Sequence, residues 1–320
     1  MNDHLRRRDF LKLVGAGAVA AAVAPQTASA APPKTAGTIP TGKIGNLELS
    51  RLMLGTNHIT FYMHSRDLRY VRELSQHYNT DEKIIETFAS AEAHGINTFI
   101  THSEAKIEKL FKEYRNRHAS KMKWILAPWL SDDGRATDSA GYGRLVPKLV
   151  ENGADALYVP GMLAEPLLKE GKGAVVADLL EVIKAAGVPT GISAHSLDVV
   201  RFCEKEKLPV DFYVKTFHHL KYPTAPKPET IATDYAEVPG FWCRNPDETA
   251  DFMKSVTKPW IAFKVMAAGA IPPRDAFRYA FAHGADFILA GVFDFQIAED
   301  AQITRDTLAS IKSRPRPWRG

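Results

Sequence analysis

Short apolar runs alternate with longer segments of helical period along most of this chain. Eight runs have the length and the β-branched or aromatic character of buried strands: 51–56, 98–101, 124–127, 156–159, 190–193, 211–214, 260–264 and 287–290. Four of the intervening segments end in one local grammar: His94-Gly95-Ile96-Asn97, Asn152-Gly153-Ala154-Asp155, Ala186-Gly187-Val188-Pro189 and His283-Gly284-Ala285-Asp286. A glycine there accepts the left-handed backbone that stops a helix and launches the next strand. This repeated rhythm predicts βα units around a parallel sheet, and about eight strands are what a closed barrel needs. An open doubly wound sheet would carry a Gly-x-Gly-x-x-Gly turn after its first strand, and none stands there. The expected fold class is therefore α/β, a (β/α)8 TIM barrel. His94 and His283 fall at helix C-termini, where the macrodipole favours them.

The first thirty or so residues break the rhythm. Arg7-Arg8-Asp9-Phe10-Leu11-Lys12 matches the twin-arginine export pattern, a Gly/Ala-rich apolar run over 13–24 follows, and Ala28-Ser29-Ala30 has the small-x-small form that a signal peptidase cuts. That run is too short and too weakly apolar to span a bilayer, so no stable membrane anchor is expected. The implied plan is a signal peptide at 1–30, a Pro/Ala/Thr linker at 31–40 and a barrel domain at 41–320. The twin-arginine export machinery is then a partner, and the location is periplasmic or otherwise exported. Proteins on that route cross folded, which strengthens the case for a bound cofactor.

Composition adds exclusions. Removing the signal leaves about 290 residues, enough for one large α/β domain with a full core. The formal net charge is +4, but Arg6, Arg7, Arg8 and Lys12 against Asp3 and Asp9 place most of it in the signal. With no basic stripe interleaved with aromatics, a nucleic-acid partner is excluded and a small-molecule substrate is expected. Cys203 and Cys243 lie far apart in sequence; pairing and two separate buried thiols both remain open.

Barrel active sites form at the C-terminal ends of the strands. His58 follows strand one, His102 and Glu104 strand two, Asp132-Asp133 strand three, His195 strand five, Lys215 with His218-His219 strand six, Lys264 strand seven and Asp294 strand eight. A lysine set in an apolar strand is costly to bury without a partner or a task. An amine with a lowered pKa can form a Schiff base, polarise a carbonyl or pair with a carboxylate. Lys264, Lys215, His195, His102 and Asp294 are thus the catalytic candidates, and Asp294 is also a candidate partner for Lys264. His58, His102, His195 and His218 form a candidate metal set, which Glu104 or Asp132 would complete unless they cap helices. Trp129, Tyr158, Phe217 and Trp242 are placed to stack on a sugar ring or to pack. The Pro-rich insertion at 222–245 is a candidate lid over the mouth, and the polar insertion at 64–79 a second candidate contact surface.

The opening Gly42-Lys43-Ile44-Gly45-Asn46-Leu47-Glu48-Leu49-Ser50-Arg51-Leu52-Met53-Leu54-Gly55-Thr56 resembles the start of the aldo/keto reductases. So do Gly95-Ile96-Asn97-Thr98-Phe99, Gly191-Ile192-Ser193-Ala194-His195-Ser196, and Ile288-Leu289-Ala290-Gly291 with Gln296-Ile297-Ala298-Glu299-Asp300. The resemblance implies a short N-terminal hairpin before the barrel and an NADP site whose adenine side would use Gln296, Glu299 and Gly291. It also implies an Asp, Tyr, Lys, His catalytic set, and here the chain departs: Ile100-Thr101-His102-Ser103, Pro128-Trp129 and Pro160-Gly161 stand in those places, and Ala194 replaces the Asn expected to bind the nicotinamide amide. The expected function is an exported aldo/keto reductase-like enzyme acting on a small carbonyl- or sugar-like substrate. It would be an NADP-dependent oxidoreductase with a rebuilt proton donor, or a lysine- or divalent-metal-assisted lyase or isomerase. The rival from another class is a non-catalytic small-ligand-binding protein.

Overall fold

The computed structural model describes residues 37–65, 68–131 and 134–320. The twin-arginine segment, linker residues 31–36 and the candidate pair Asp132-Asp133 lie outside the described residues. The described chain opens on a hairpin of β1 (Thr41–Ile44) and β2 (Leu47–Ser50). β3 (Leu52–Gly55) then begins the barrel, followed by α1 (Arg69–Tyr78), α2 (Asp81–Ala93), β4 (Thr98–His102), α3 (Ala105–His118) and β5 (Lys123–Ala127). A two-stranded flap, β6 (Leu130–Ser131) and β7 (Gly134–Arg135), precedes α4 (Ser139–Glu151), β8 (Ala156–Val159), α5 (Gly161–Lys169), α6 (Gly173–Ala185) and β9 (Thr190–Ala194). The chain ends with α7 (Leu197–Lys205), β10 (Phe212–Thr216), α8 (Pro246–Met253), β11 (Trp260–Phe263), α9 (Pro273–Ala282), β12 (Phe287–Gly291) and α10 (Asp294–Ser310). β3, β4, β5, β8, β9, β10, β11 and β12 pair in parallel, in chain order, and close into an eight-stranded barrel. Each of the eight runs read from the sequence is one of these strands.

Alternation along the strands separates two cores. Met53, Ile100, Ile125, Ala156, Phe212, Val214, Ile261 and Phe287 fill the lumen, where they meet Ile44, Leu47 and Leu49 of the hairpin. The hairpin therefore plugs the barrel floor. Leu54, Phe99, Trp124, Leu157, Tyr213, Trp260 and Ile288 point the other way, into the larger core shared with the helices. Each such side chain contributes about 1.5–3 kcal/mol through burial. The helix stops hold as expected: Gly95 and Gly284 take φ of +87° and +116°, and the Nδ1 atoms of His94 and His283 bond the carbonyls of Ser90 and Tyr279, both at 2.8 Å.

The C-terminal tail seals the floor from outside. The fully buried Arg316 guanidinium donates to the carbonyls of Met253, Gly284, Val256 and Lys258 and to Asp286 Oδ2 at 2.5 Å. Trp318 lies between Arg51 and Arg314, whose guanidinium carbons sit 3.9 and 3.6 Å from its ring centre. Cys203 and Cys243 are separate buried thiols. Among the described residues no helix is long and apolar enough to cross a membrane.

Candidate active site at the barrel mouth

At the C-terminal ends of the strands the half-buried side chains of Tyr158, Phe263 and Leu289 top the lumen column and form the floor of the mouth. Lys264 follows directly after β11. Its φ of +56° is left-handed, a conformation costing a non-glycine residue roughly 1–2 kcal/mol, and it turns the chain away from the strand ladder. The amine donates to His64 Nε2, and His64 Nδ1 in turn donates to Glu237 Oε2 at 2.8 Å. Trp242 and Phe263 lie beneath, with ring centres 5.4 and 5.8 Å from Nζ. Burial lowers the Lys264 pKa to about 7, against the opposing pull of Glu237 and Glu165. A substantial fraction of this amine is thus neutral and nucleophilic near neutral pH.

Across the floor stands His195, which the period of β9 directs to the lumen side. α5 is what holds it. Gly161 N donates to Ser193 Oγ at 2.7 Å, and a Cβ on Gly161 would sit 2.9 Å from the Ser193 carbonyl, so this helix start fits against β9 only as glycine. One turn on, buried Glu165 points back. Its Oε1 accepts the backbone N–H of His195 and that of Ser196 at 3.0 Å, and lies 3.3 Å from His195 Nδ1. Burial pushes the Glu165 carboxyl up, but His195 and the two backbone donors outweigh it and leave the pKa lowered. Burial also lowers the His195 pKa, so the ring is neutral at neutral pH. Tyr235 stacks on the ring with centres 4.2 Å apart.

The insertion at 222–245 does lie over the mouth and is clipped down. His218 Nδ1 donates to the His219 carbonyl at 2.8 Å, so Nε2 is an acceptor and takes the backbone N–H groups of Trp242 and Cys243 at 2.9 and 3.2 Å. Tyr222 donates to the Gly240 carbonyl at 2.7 Å, and Asp234 pairs with Lys169 of α5 at 3.4 Å.

Several sequence expectations are corrected. Lys215 is not inward: Phe212 and Val214 take the lumen face of β10, so Lys215 shares the outer face of Tyr213, fully buried, with Nζ donating to the Thr216 carbonyl and hydroxyl at 3.0 and 3.1 Å. Lys264 does not pair with Asp294, which instead accepts from Tyr78 at 2.7 Å and Lys83 at 3.4 Å. The four histidines do not converge. His218 is spent on the lid, and His58 faces Phe293 at 4.9 Å, held neutral with its pKa pushed down to about 4 by burial. His102 meets Glu104 at 3.4 Å and Tyr62 at 4.9 Å. Among the described residues no three His, Cys, Asp or Glu side chains group as a metal cage. Phe217 is core, packed on Trp260 and Tyr279, while Trp242 does line the site. Gln296 accepts from Phe293 N at 3.0 Å as a helix-capping residue, and Glu299 and Gly291 are exposed near the same rim.

Sequence reasoning missed His64, Glu165, Tyr235 and Glu237. Glu165 did leave a signal, a lone carboxylate in the apolar stretch Met162-Leu163-Ala164-Glu165-Pro166-Leu167-Leu168. The others sit in insertions with no periodicity to read.

The geometry defines the class first: a (β/α)8 barrel with a hairpin-plugged floor, a covered mouth and an amine at the end of its seventh strand. Solved structures of several enzymes then share that barrel. A putative aldo-keto reductase from Pseudomonas aeruginosa is 16% identical, with 86% of this chain and 98% of that one covered and a TM-score of 0.60. The glycerol dehydrogenase of Gluconobacter oxydans is 13% identical over 87% of this chain and 97% of its own, TM-score 0.51. A phospho-2-dehydro-3-deoxyheptonate aldolase from Thermotoga maritima matches at 10% identity over 87% and 76%, TM-score 0.51. At these identities the likeness is one of fold. No protein-family model and no curated protein matches the sequence.

Proposed function

We propose that this chain is an exported barrel enzyme acting on the carbonyl group of a small, sugar-like substrate, with Lys264 as the group that engages the carbonyl. The observation that carries the reading is the Lys264 amine itself, turned out of the ladder into the mouth and backed by the His64 and Glu237 relay. Tyr62 and Tyr235, 55% and 41% exposed, offer aromatic flanks of the kind on which a sugar face rests. The twin-arginine motif supports export.

A second reading, NADP-dependent oxidoreduction, is favoured by the fold likeness and by Gln296 and Glu299, which stand exposed on α10 as an adenine contact requires. The mouth does not complete the fit, because Ala194 offers no amide partner and, among the described residues, no tyrosine hydroxyl is hydrogen-bonded to the Lys264 amine.

The test is reductive trapping. Incubated with dihydroxyacetone and cyanoborohydride, the wild-type chain is expected to gain one adduct, mapped to Lys264 and absent from Lys264→Met. The adduct yield should rise with pH through about 7, where the amine loses its proton. Labelling spread over surface lysines, with Lys264 spared, would overturn the reading. Saturable NADPH fluorescence together with carbonyl-dependent NADPH consumption would establish the second one.

A further inference from the structure

We infer that His195 is the base that takes a proton from the carbon next to the carbonyl of a substrate held on Lys264, and that Glu165 is the carboxylate positioning it. This rests on the Lys264 reading above and narrows it to carbonyl compounds bearing an α-hydrogen.

Glu165 Oε1 is fixed by two backbone donors, the N–H groups of His195 and Ser196, so its place is set by the chain and not by the imidazole. Nδ1 lies 3.3 Å from that oxygen, so a proton carried on Nδ1 faces the carboxylate. Nε2 is left with a lone pair, and no described residue bonds it. The ring is gripped between Tyr235 and Phe263, with centres 4.2 and 5.8 Å away, and Phe263 immediately precedes Lys264. Base and amine thus flank one floor. His64 is excluded from the role because its Nε2 already receives the Lys264 amine. A cleft of about 170 Å³ lined by Glu165, Lys169, Ser196 and Asp198 borders the carboxylate.

The step balances without an oxidant. The Lys264 lone pair attacks the carbonyl carbon and a C–N bond forms. The oxygen leaves as water with one proton from the amine and one from solvent, and a cationic iminium remains. Its α C–H bond breaks, the proton passes to His195 Nε2, and the electron pair forms a C=C bond as the C=N electrons return to nitrogen. The positive charge has moved onto an imidazolium next to Glu165, whose charge stabilises it.

The test uses the whole chain with dihydroxyacetone in D2O, reading deuterium entry at carbon by mass spectrometry and trapping at Lys264 in parallel. His195→Gln is expected to keep trapping and lose about 100-fold in exchange. Glu165→Gln retains an acceptor for the two backbone donors, so it should trap normally, exchange about tenfold more slowly or worse, and shift the pH profile of exchange. Nitrogen-detected NMR of the His195 ring supplies a readout free of any substrate: Nδ1 protonated and Nε2 bare in wild type, with the preference weakened in Glu165→Gln. A protonated Nε2 in wild type, or unchanged exchange with trapping intact in both variants, would overturn the inference. Failure of wild type to trap at Lys264 would instead sink the amine reading, and this inference with it.

Discussion

Lys215 and Lys264 both follow apolar strand residues, yet the fold gives them opposite tasks. Lys215 stays in the ladder and satisfies two of its donors on Thr216, whereas Lys264 leaves the ladder at φ +56° and reaches a histidine. Folding lowers the proton affinity of Lys264, so between about pH 7 and 10.5 the unfolded chain holds a proton that the native chain has released. Its contribution to stability is therefore full above 10.5 and lost as pH falls through about 7. Urea unfolding of wild type and Lys264→Met at about pH 6.5 and about pH 9.5 should show wild type gaining on the variant at the higher pH. An unchanged gap would mean the amine is not desolvated in the native state. That lysines end two strands was legible in sequence, and which one faces the mouth was not. Facing depends on register within β10, and a left-handed turn at a lysine has no signature of the kind that glycine provides.

At the scale of elements, strands and helix stops were readable because each is settled locally, by apolar runs and by glycines such as Gly95 and Gly284. The contacts that seat the elements are tertiary, and none has a sequence period. Arg316 joins five acceptors contributed by α8, the loop before β11, the turn after α9 and the residue before β12. Replacing it by Met leaves the buried Asp286 carboxylate with Arg314, 3.7 Å away, as its remaining ionic partner and is expected to cost about 3–5 kcal/mol in urea unfolding. The double variant with Asp286→Asn should recover part of that loss, since the under-compensated carboxylate is then removed. α5 shows the same dependence from the other side: Pro160-Gly161 was readable only as an absent catalytic histidine, while its actual work is to bring Glu165 within reach of His195.

For the molecule as a whole, the barrel class followed from sequence because eight alternations leave few other ways to bury that much apolar surface. The candidate site followed only in part, since half its groups come from the insertions at 64–79 and 222–245. The export reading has its own test: changing Arg7 and Arg8 together to Lys should retain the protein in the cytoplasmic fraction, while wild type appears outside the inner membrane. The chain that joins Lys264, His64 and Glu237 ties this scale back to the first. The reagent is also the bolt. Once a carbonyl carbon is bonded to Nζ, one N–H is gone and the one that remains is fixed in the plane of the C=N bond, so the fastening of residues 222–245 through His64 and Glu237 is weakened. Loading should therefore report itself at the surface, as faster amide exchange around Glu237, before any product has formed.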